Sequence, residues 1–248
     1  MKKKILIIGG HDPSGGAGVM MDANICRLNE CHPLTLITAE TVQNSQKSKD
    51  NFPANEKVFK KQLDCILEDI KPDAIKIGLI GSYEIAREIK NFLVKTNIPV
   101  VIDPVIGPTL GKSFLNNKAI DFMRDELIPL ASIVTPNEEE LFKLSNKKNI
   151  ENSIEFFYEL GVKNILVTGK IKNKKIVNYL FSDGFDPLQF KNHLFRGYFH
   201  GTGCMLSSLL TIFLAKKFSV IDSCEKASNQ TSSYLKLFKN IGKGQKLL

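Results

Sequence analysis

Apolar residues gather in short unbroken runs, most of them closed by glycine or an acid and followed by a stretch of helical spacing. The first run, residues 4–9, is apolar on consecutive positions, which fits a strand buried on both faces rather than a half-exposed one. The same pattern predicts strands over 34–40, 74–78, 100–103, 132–135 and 164–168. Between them the spacing predicts helices from the glycine-rich loop to about Asn29, and over 56–69, 83–95, 118–127, 138–144 and 153–160. Residues 175–182 and 188–194 predict two antiparallel strands around a turn at Asp183-Gly184, and helices over 202–217 and 221–237 follow. Residues 41–55 are polar and without period, so they are expected to form a flap over a site.

Strand and helix alternate over most of the chain. That order predicts an α/β fold, a doubly wound and mainly parallel sheet with helices on both faces, in which ligands bind at the carboxyl ends of the strands. A length of 248 residues, with no internal repeat or low-complexity linker, fits a single domain over 1–248.

Composition narrows the classes. The apolar runs are far shorter than the ~20 residues a bilayer span needs, so no membrane partner is expected. Cys26, Cys31, Cys65, Cys204 and Cys224 are odd in number, scattered and free of C-x-x-C pairs. This argues against a disulfide framework or a zinc site and for a reducing, cytoplasmic setting. The net charge of +8 is spread along the chain instead of gathered with aromatic residues, so nucleic acid is not an expected partner. A basic balance suits an enzyme handling phosphates.

Candidate chemistry falls at the predicted strand ends. In His200-Gly201-Thr202-Gly203-Cys204, two glycines permit a tight turn with uncovered N–H groups, and the helix behind it directs its positive dipole end there. Such a turn can hold an anion, and the dipole favours a thiolate at Cys204. The five residues fit a tight loop before a buried helix equally well. The loop Gly15-Gly16-Ala17-Gly18 lacks the Lys-Ser/Thr of a P-loop and the G-x-G-x-x-G of a dinucleotide site. It offers backbone donors beside Asp12 and Asp22, although Asp12 also suits a turn and Asp22 a helix surface. Asp103 and Thr135-Pro136-Asn137-Glu138-Glu139-Glu140 end buried strands, where oxygen ligands suit Mg²⁺. Asn137 can also cap the next helix, with the glutamates favouring its dipole.

Taken in order, Gly10-His11-Asp12-Pro13-Ser14-Gly15-Gly16-Ala17-Gly18 with Asp22, Lys76-Ile77-Gly78-Leu79-Ile80-Gly81-Ser82, Asp103-Pro104-Val105, Thr135-Pro136-Asn137 and the His200 to Cys204 turn resemble the hydroxymethylpyrimidine and phosphomethylpyrimidine kinases. These are members of the ribokinase-like superfamily, a three-layer α/β/α sandwich. The resemblance spans nearly the whole chain. It implies ATP and Mg²⁺ as cofactors and a small pyrimidine as substrate, with a homodimer as the expected assembly. Gly201, Thr202 and Gly203 would form the anion hole, and Cys204 would be the catalytic base. Gly10, Asp12, Ala17, Asp22, Glu40, Leu79 and Val105 would line the pyrimidine pocket. Asp103, Asn137, Thr168 and Lys170 would face the nucleotide phosphates, and Asp103 and Glu140 would organise Mg²⁺.

Three positions depart from the usual family residue: Glu40 stands for Gln, His11 for Ser and Thr168 for Lys, with Lys170 as a substitute cation. A carboxylate at position 40 accepts but cannot donate while ionised. The implied reaction is phosphorylation of 4-amino-5-hydroxymethyl-2-methylpyrimidine and its monophosphate for thiamine synthesis. A pyridoxal or pyridoxine kinase, which can carry the same turn, is the alternative in chemistry. A non-catalytic pyrimidine-binding regulatory protein is the alternative in class.

Overall fold

The computed structural model describes residues 2–107 and 113–248. Its sheet begins with β1 (Lys4–His11) and is completed by β2 (His32–Gln43), β3 (Ser48–Pro53), β4 (Ala74–Ile77), β5 (Val100–Ile102), β6 (Ile133–Val134), β7 (Asn164–Lys172), β8 (Lys175–Ser182) and β9 (Leu188–His193). The nine strands lie in the order β3-β2-β1-β4-β5-β6-β7-β8-β9. From β2 to β7 all neighbours are parallel, whereas β3, β8 and β9 pair antiparallel at the two edges.

The two-faced burial predicted from the apolar runs is met residue by residue. In β1, Leu6 and Ile8 enter one core while Ile5 and Ile7 enter the other, each fully buried. The first core is covered by α2 (Glu56–Asp69), α3 (Tyr83–Leu93), α4 (Asn117–Phe122), α5 (Glu138–Ser145) and α6 (Ile150–Glu159). The second is covered by α1 (Gly18–Leu28), α7 (Thr202–Ala215) and α8 (Val220–Tyr234). Helix α7 lies over β1, β4 and β5, which explains why its sequence is apolar nearly all round.

Several expectations are corrected. Residues 41–55 are no irregular flap: β2 runs on to Gln43 and pairs with β3 as an edge hairpin. Its charged, mostly exposed positions hide the strand period, as suits an edge that must not recruit other chains. Strand β7 continues past Thr168 to Lys172 and turns into β8 through Asn173 and Lys174, both at positive φ. The helix expected over 118–127 is α-helical only to Phe122. It then widens into a π turn over Met123–Leu127 and tightens into a 3₁₀ turn containing Pro129. The final helix ends at Tyr234, with a 3₁₀ turn over Leu235–Leu237. No helix among the described residues is long and apolar enough to cross a membrane.

The strand order sets the position of the site. From β1 the chain moves outward to β2 on one side and, after α2, to β4 on the other, so the loops leaving β1 and β4 diverge and open a crevice at their carboxyl ends.

Candidate active site

Two glycine loops interlock at that crevice. Gly201, the N-cap of α7, has φ +76°, and a Cβ there would strike the carbonyl oxygen of Gly16. Gly18, at φ +58°, stands in the same relation to the carbonyl of Gly10. Only glycine satisfies both the backbone conformation and the close approach. A side-chain hydrogen bond fastens the same two loops: His200 Nε2 lies 2.8 Å from Asp12 Oδ2, while Asp12 Oδ1 accepts from the Ser14 N–H at 2.9 Å. Burial pushes the Asp12 carboxyl up, but the bonds from His200 and Ser14 outweigh it and hold the group below its ordinary value.

Among the described residues no side chain caps α7, and the amides of its first turn at Thr202, Gly203 and Cys204, which have no intrahelical partners, point out of the helix with the positive dipole end behind them. The Cys204 thiol sits in that turn, where Gly18 N–H donates to it. Its state differs from the expected thiolate. Burial, together with the negative charges of Asp22 and Asp103, pushes the thiol up to about 12, more than Lys76 and the Gly18 bond offset. Desolvation wins over the dipole here.

Beneath the turn lies a fully buried charge cluster. Lys76 reaches Asp22 at 2.8 Å and Asp103 at 3.9 Å. Ser208 donates to the other Asp22 oxygen at 2.8 Å, and Ser207 donates to Asp103 at 3.0 Å. Burial alone would push the Lys76 ammonium down, but the carboxylates of Asp22 and Asp103 hold it protonated. Gly78 leaves room for it, because a Cβ there would lie 2.9 Å from Lys76 Nζ. Asp22 is therefore no helix-surface charge, and both its oxygens are engaged within the protein.

The other expected residues fall around this centre. Gly10 packs on Leu79, with a hypothetical Cβ 2.9 Å from Leu79 Cδ2. Ala17 is half-buried at the start of α1, and Val105 is half-buried just past Asp103. Glu40, exposed at the end of β2, meets His11, with His11 Nδ1 2.6 Å from Glu40 Oε2. Asn137 and Glu140 form a reciprocal capping box at the start of α5. Thr168 is brought beside Asn137 by a backbone bridge, and its N–H donates to Pro136 at 2.9 Å. Lys170 is paired with Glu138 at 3.4 Å.

A family model described as phosphomethylpyrimidine kinase matches residues 12–248. The chain belongs to that family. It is 31% identical to a hydroxymethylpyrimidine/phosphomethylpyrimidine kinase of Aquifex aeolicus over 98% of each chain. Among solved structures it resembles a phosphomethylpyrimidine kinase of Clostridium difficile 630 at 31% identity and TM-score 0.79, covering 95% of this chain and 99% of that one. A pyridoxal kinase of Bacillus subtilis, solved as an ADP complex, is 27% identical with TM-score 0.89, covering 100% and 97%.

For a phosphomethylpyrimidine kinase family member, the acids around Asp103 can be tested as a magnesium centre. Burial pushes the Glu140 carboxyl up to about 8, and the charge of Asp103 adds to this. Two acids that raise each other's cost of ionisation suit a cation between them. Thr135, one residue past the paired part of β6, adds a buried hydroxyl without a partner among the described residues. Among the described residues no group of three or more His, Cys, Asp or Glu can hold a metal. The donors fit a hard cation that keeps waters and phosphate oxygens as its remaining ligands.

Sequence reading placed Lys76 and His200 in motifs without giving either a role, and missed Ser207 and Ser208. Lys76 had a signal, a lone cation inside the apolar strand Ala74–Ile77. The two serines, inside an apolar helix, had a weaker one.

Proposed function

We propose that the chain is an ATP-dependent kinase that transfers the γ-phosphoryl group to the hydroxymethyl oxygen of 4-amino-5-hydroxymethyl-2-methylpyrimidine, and then phosphorylates the monophosphate, as a cytoplasmic step toward thiamine. The observation that carries this reading is the uncapped start of α7 locked against the Gly16 loop, directly above Asp103. Phosphoryl transfer asks for in-line positioning and neutralised charge more than covalent help. The amides of Thr202, Gly203 and Cys204 supply donors for the migrating phosphoryl oxygens, already oriented by the glycine interlock. Asp103 and Glu140 would hold Mg²⁺, which supplies charge neutralisation on the phosphates when bound. Asn137, Thr168 and Lys170 stand along the adjoining strand ends, where the nucleotide phosphates would lie. Lys76 holds Asp22 and Asp103 in place and offsets part of the upward push that burial gives their carboxyls.

The test is ADP formation by the purified protein with Mg²⁺ and ATP, with the products followed by phosphorus NMR. ADP should form with the aminopyrimidine alcohol and again with its monophosphate. Tight pyrimidine binding without ADP would instead favour the non-catalytic reading.

A further inference from the structure

Residues 239–248, past α8 and its 3₁₀ turn, fold back onto the loop that leads into α7. Lys239 and Leu247 close this segment by exchanging backbone bonds, the Lys239 N–H donating at 2.8 Å and the Leu247 N–H at 3.0 Å. Lys246 pairs with Phe199: its N–H donates to the Tyr198 carbonyl at 2.9 Å, and its carbonyl accepts from the His200 N–H at 3.0 Å. The residue before the Gly201 cap is thus fixed by the segment. Two further bonds run to the turn between β2 and β3, from the Gln245 N–H to the Ser45 carbonyl at 2.8 Å and from the Gly244 N–H to Ser45 Oγ at 3.3 Å. A Cβ on Gly244 would strike the Ser45 carbonyl, so glycine is what lets the two stretches meet.

Leu247 is the buried side chain of this segment, whereas residues 239–244 are exposed. A Cβ on Gly16 would lie 2.6 Å from Leu247 Cδ2 and would also strike the His200 ring. Gly16 is therefore held on two sides: Gly201 packs against its carbonyl, and Leu247 with His200 covers its α-carbon. A mostly exposed segment buries little apolar area, so it adds little to the core beside it. Its effect is local, since its bonds and its one buried side chain hold together three backbone stretches far apart in sequence, around Gly16, Ser45 and His200. Donors at a helix start stabilise developing charge only when they are oriented before the reaction, and a misplacement of about 1 Å costs roughly 10²-fold in rate.

Building on the kinase reading above, we propose that residues 239–248 are a strap that sets the α7 turn for phosphoryl transfer, with Leu247 as its positioning residue. Leu247 acts through Gly16 and His200, not on the reacting groups. Through Ser45 the strap also links the turn to the tip of the β2–β3 hairpin, so that loosening one end loosens the other.

The experiment compares the wild-type chain with Leu247→Ala, Leu247→Met and Gly244→Ala. Three readouts are taken: ADP formation with 4-amino-5-hydroxymethyl-2-methylpyrimidine, Mg²⁺ and ATP; amide hydrogen exchange; and denaturant unfolding. Leu247→Ala should lower kcat by about tenfold with KM within about twofold. It should also speed exchange of the Met205 N–H, which donates to the Gly201 carbonyl, by about tenfold. Leu247→Met, which refills the space over Gly16, should recover most of both losses. Gly244→Ala lies outside the Gly16 contact, yet by detaching Ser45 it should speed exchange at the Asn44 N–H of the hairpin turn and at Met205 as well. Unchanged kcat and Met205 exchange in Leu247→Ala, or a loss confined to KM, would overturn the positioning role. So would faster exchange throughout the chain in step with a lower unfolding midpoint. Faster exchange at Asn44 alone in Gly244→Ala would overturn the link to the hairpin. Should Leu247→Ala not fold, Leu247→Val carries the same comparison. Wild-type protein that forms no ADP overturns the kinase reading alone, because hydrogen exchange still decides whether the strap sets the turn.

Discussion

Lys76 occupies a strand whose other residues are apolar and holds together two carboxylates from different elements, Asp22 of α1 and Asp103 after β5. Removing one partner of a buried pair leaves the other charge uncompensated. Lys76→Met should therefore lower stability by about 3–5 kcal/mol in denaturant unfolding at neutral pH. The sign of its pH dependence follows. Without the ammonium, burial raises both carboxyls further, so the folded state binds protons that the unfolded state does not. Stability of the variant should recover as pH falls toward the ordinary carboxylate range and decline as pH rises. A variant as stable as wild type at neutral pH would contradict the assignment. At this scale the sequence singled out positions that stand in a motif, as Cys204 and Asp103 do, and was silent where an arrangement depends on pairing. His11 and Glu40 are 29 positions apart, and only strand register makes them neighbours. His200 and Asp12 are 188 apart and meet through the fold of two loops.

Helix α7 is the element that does most for the site. It combines a free N-terminus, a positive-φ glycine cap and two buried serines that reach Asp22 and Asp103. Two substitutions within it separate positioning from proton handling. Gly201→Ala should displace the turn from the Gly16 loop and cut kcat by about 10²-fold or more, the cost of losing an oriented oxyanion donor. If Cys204 serves as the general base of the proposed reaction, Cys204→Ala should keep the turn and lower kcat by about 10²-fold with little change in KM. Because burial holds Cys204 as a thiol to about 12, wild-type kcat should climb with pH above neutrality, and the variant should lack that climb. Turnover nearly unchanged in Cys204→Ala would mean that the backbone amides supply most of the rate enhancement. Elements with a strong apolar signal, such as β1 and α7, were legible because burial dictates their composition. The edge strand β3 was not, because a strand exposed on both faces carries no period. The π and 3₁₀ turns after Phe122 were hidden in a helical pattern whose period barely changes across them.

At the scale of the whole molecule, the sheet order makes the rest possible. The reversal between β1 and β4 brings the loop after β1, Asp103 after β5 and the start of α7 to one edge, although they lie in three separate thirds of the chain. The parallel three-layer architecture could be read from strand and helix alternation alone. Of the antiparallel edges, the β8–β9 hairpin was legible from its turn at Asp183-Gly184, whereas the reversal into β8 at Asn173 and Lys174 and the β2–β3 hairpin were not. Fold likeness does not choose the acceptor, because solved pyridoxal and phosphomethylpyrimidine kinases both resemble this chain. The deciding measurement is kcat/KM for 4-amino-5-hydroxymethyl-2-methylpyrimidine against pyridoxal, with Mg²⁺ and ATP under identical conditions. Both the alcohol and its monophosphate should turn over, with the aminopyrimidine preferred to pyridoxal by about tenfold or more. A preference for pyridoxal, or no ADP from either ring, would contradict it.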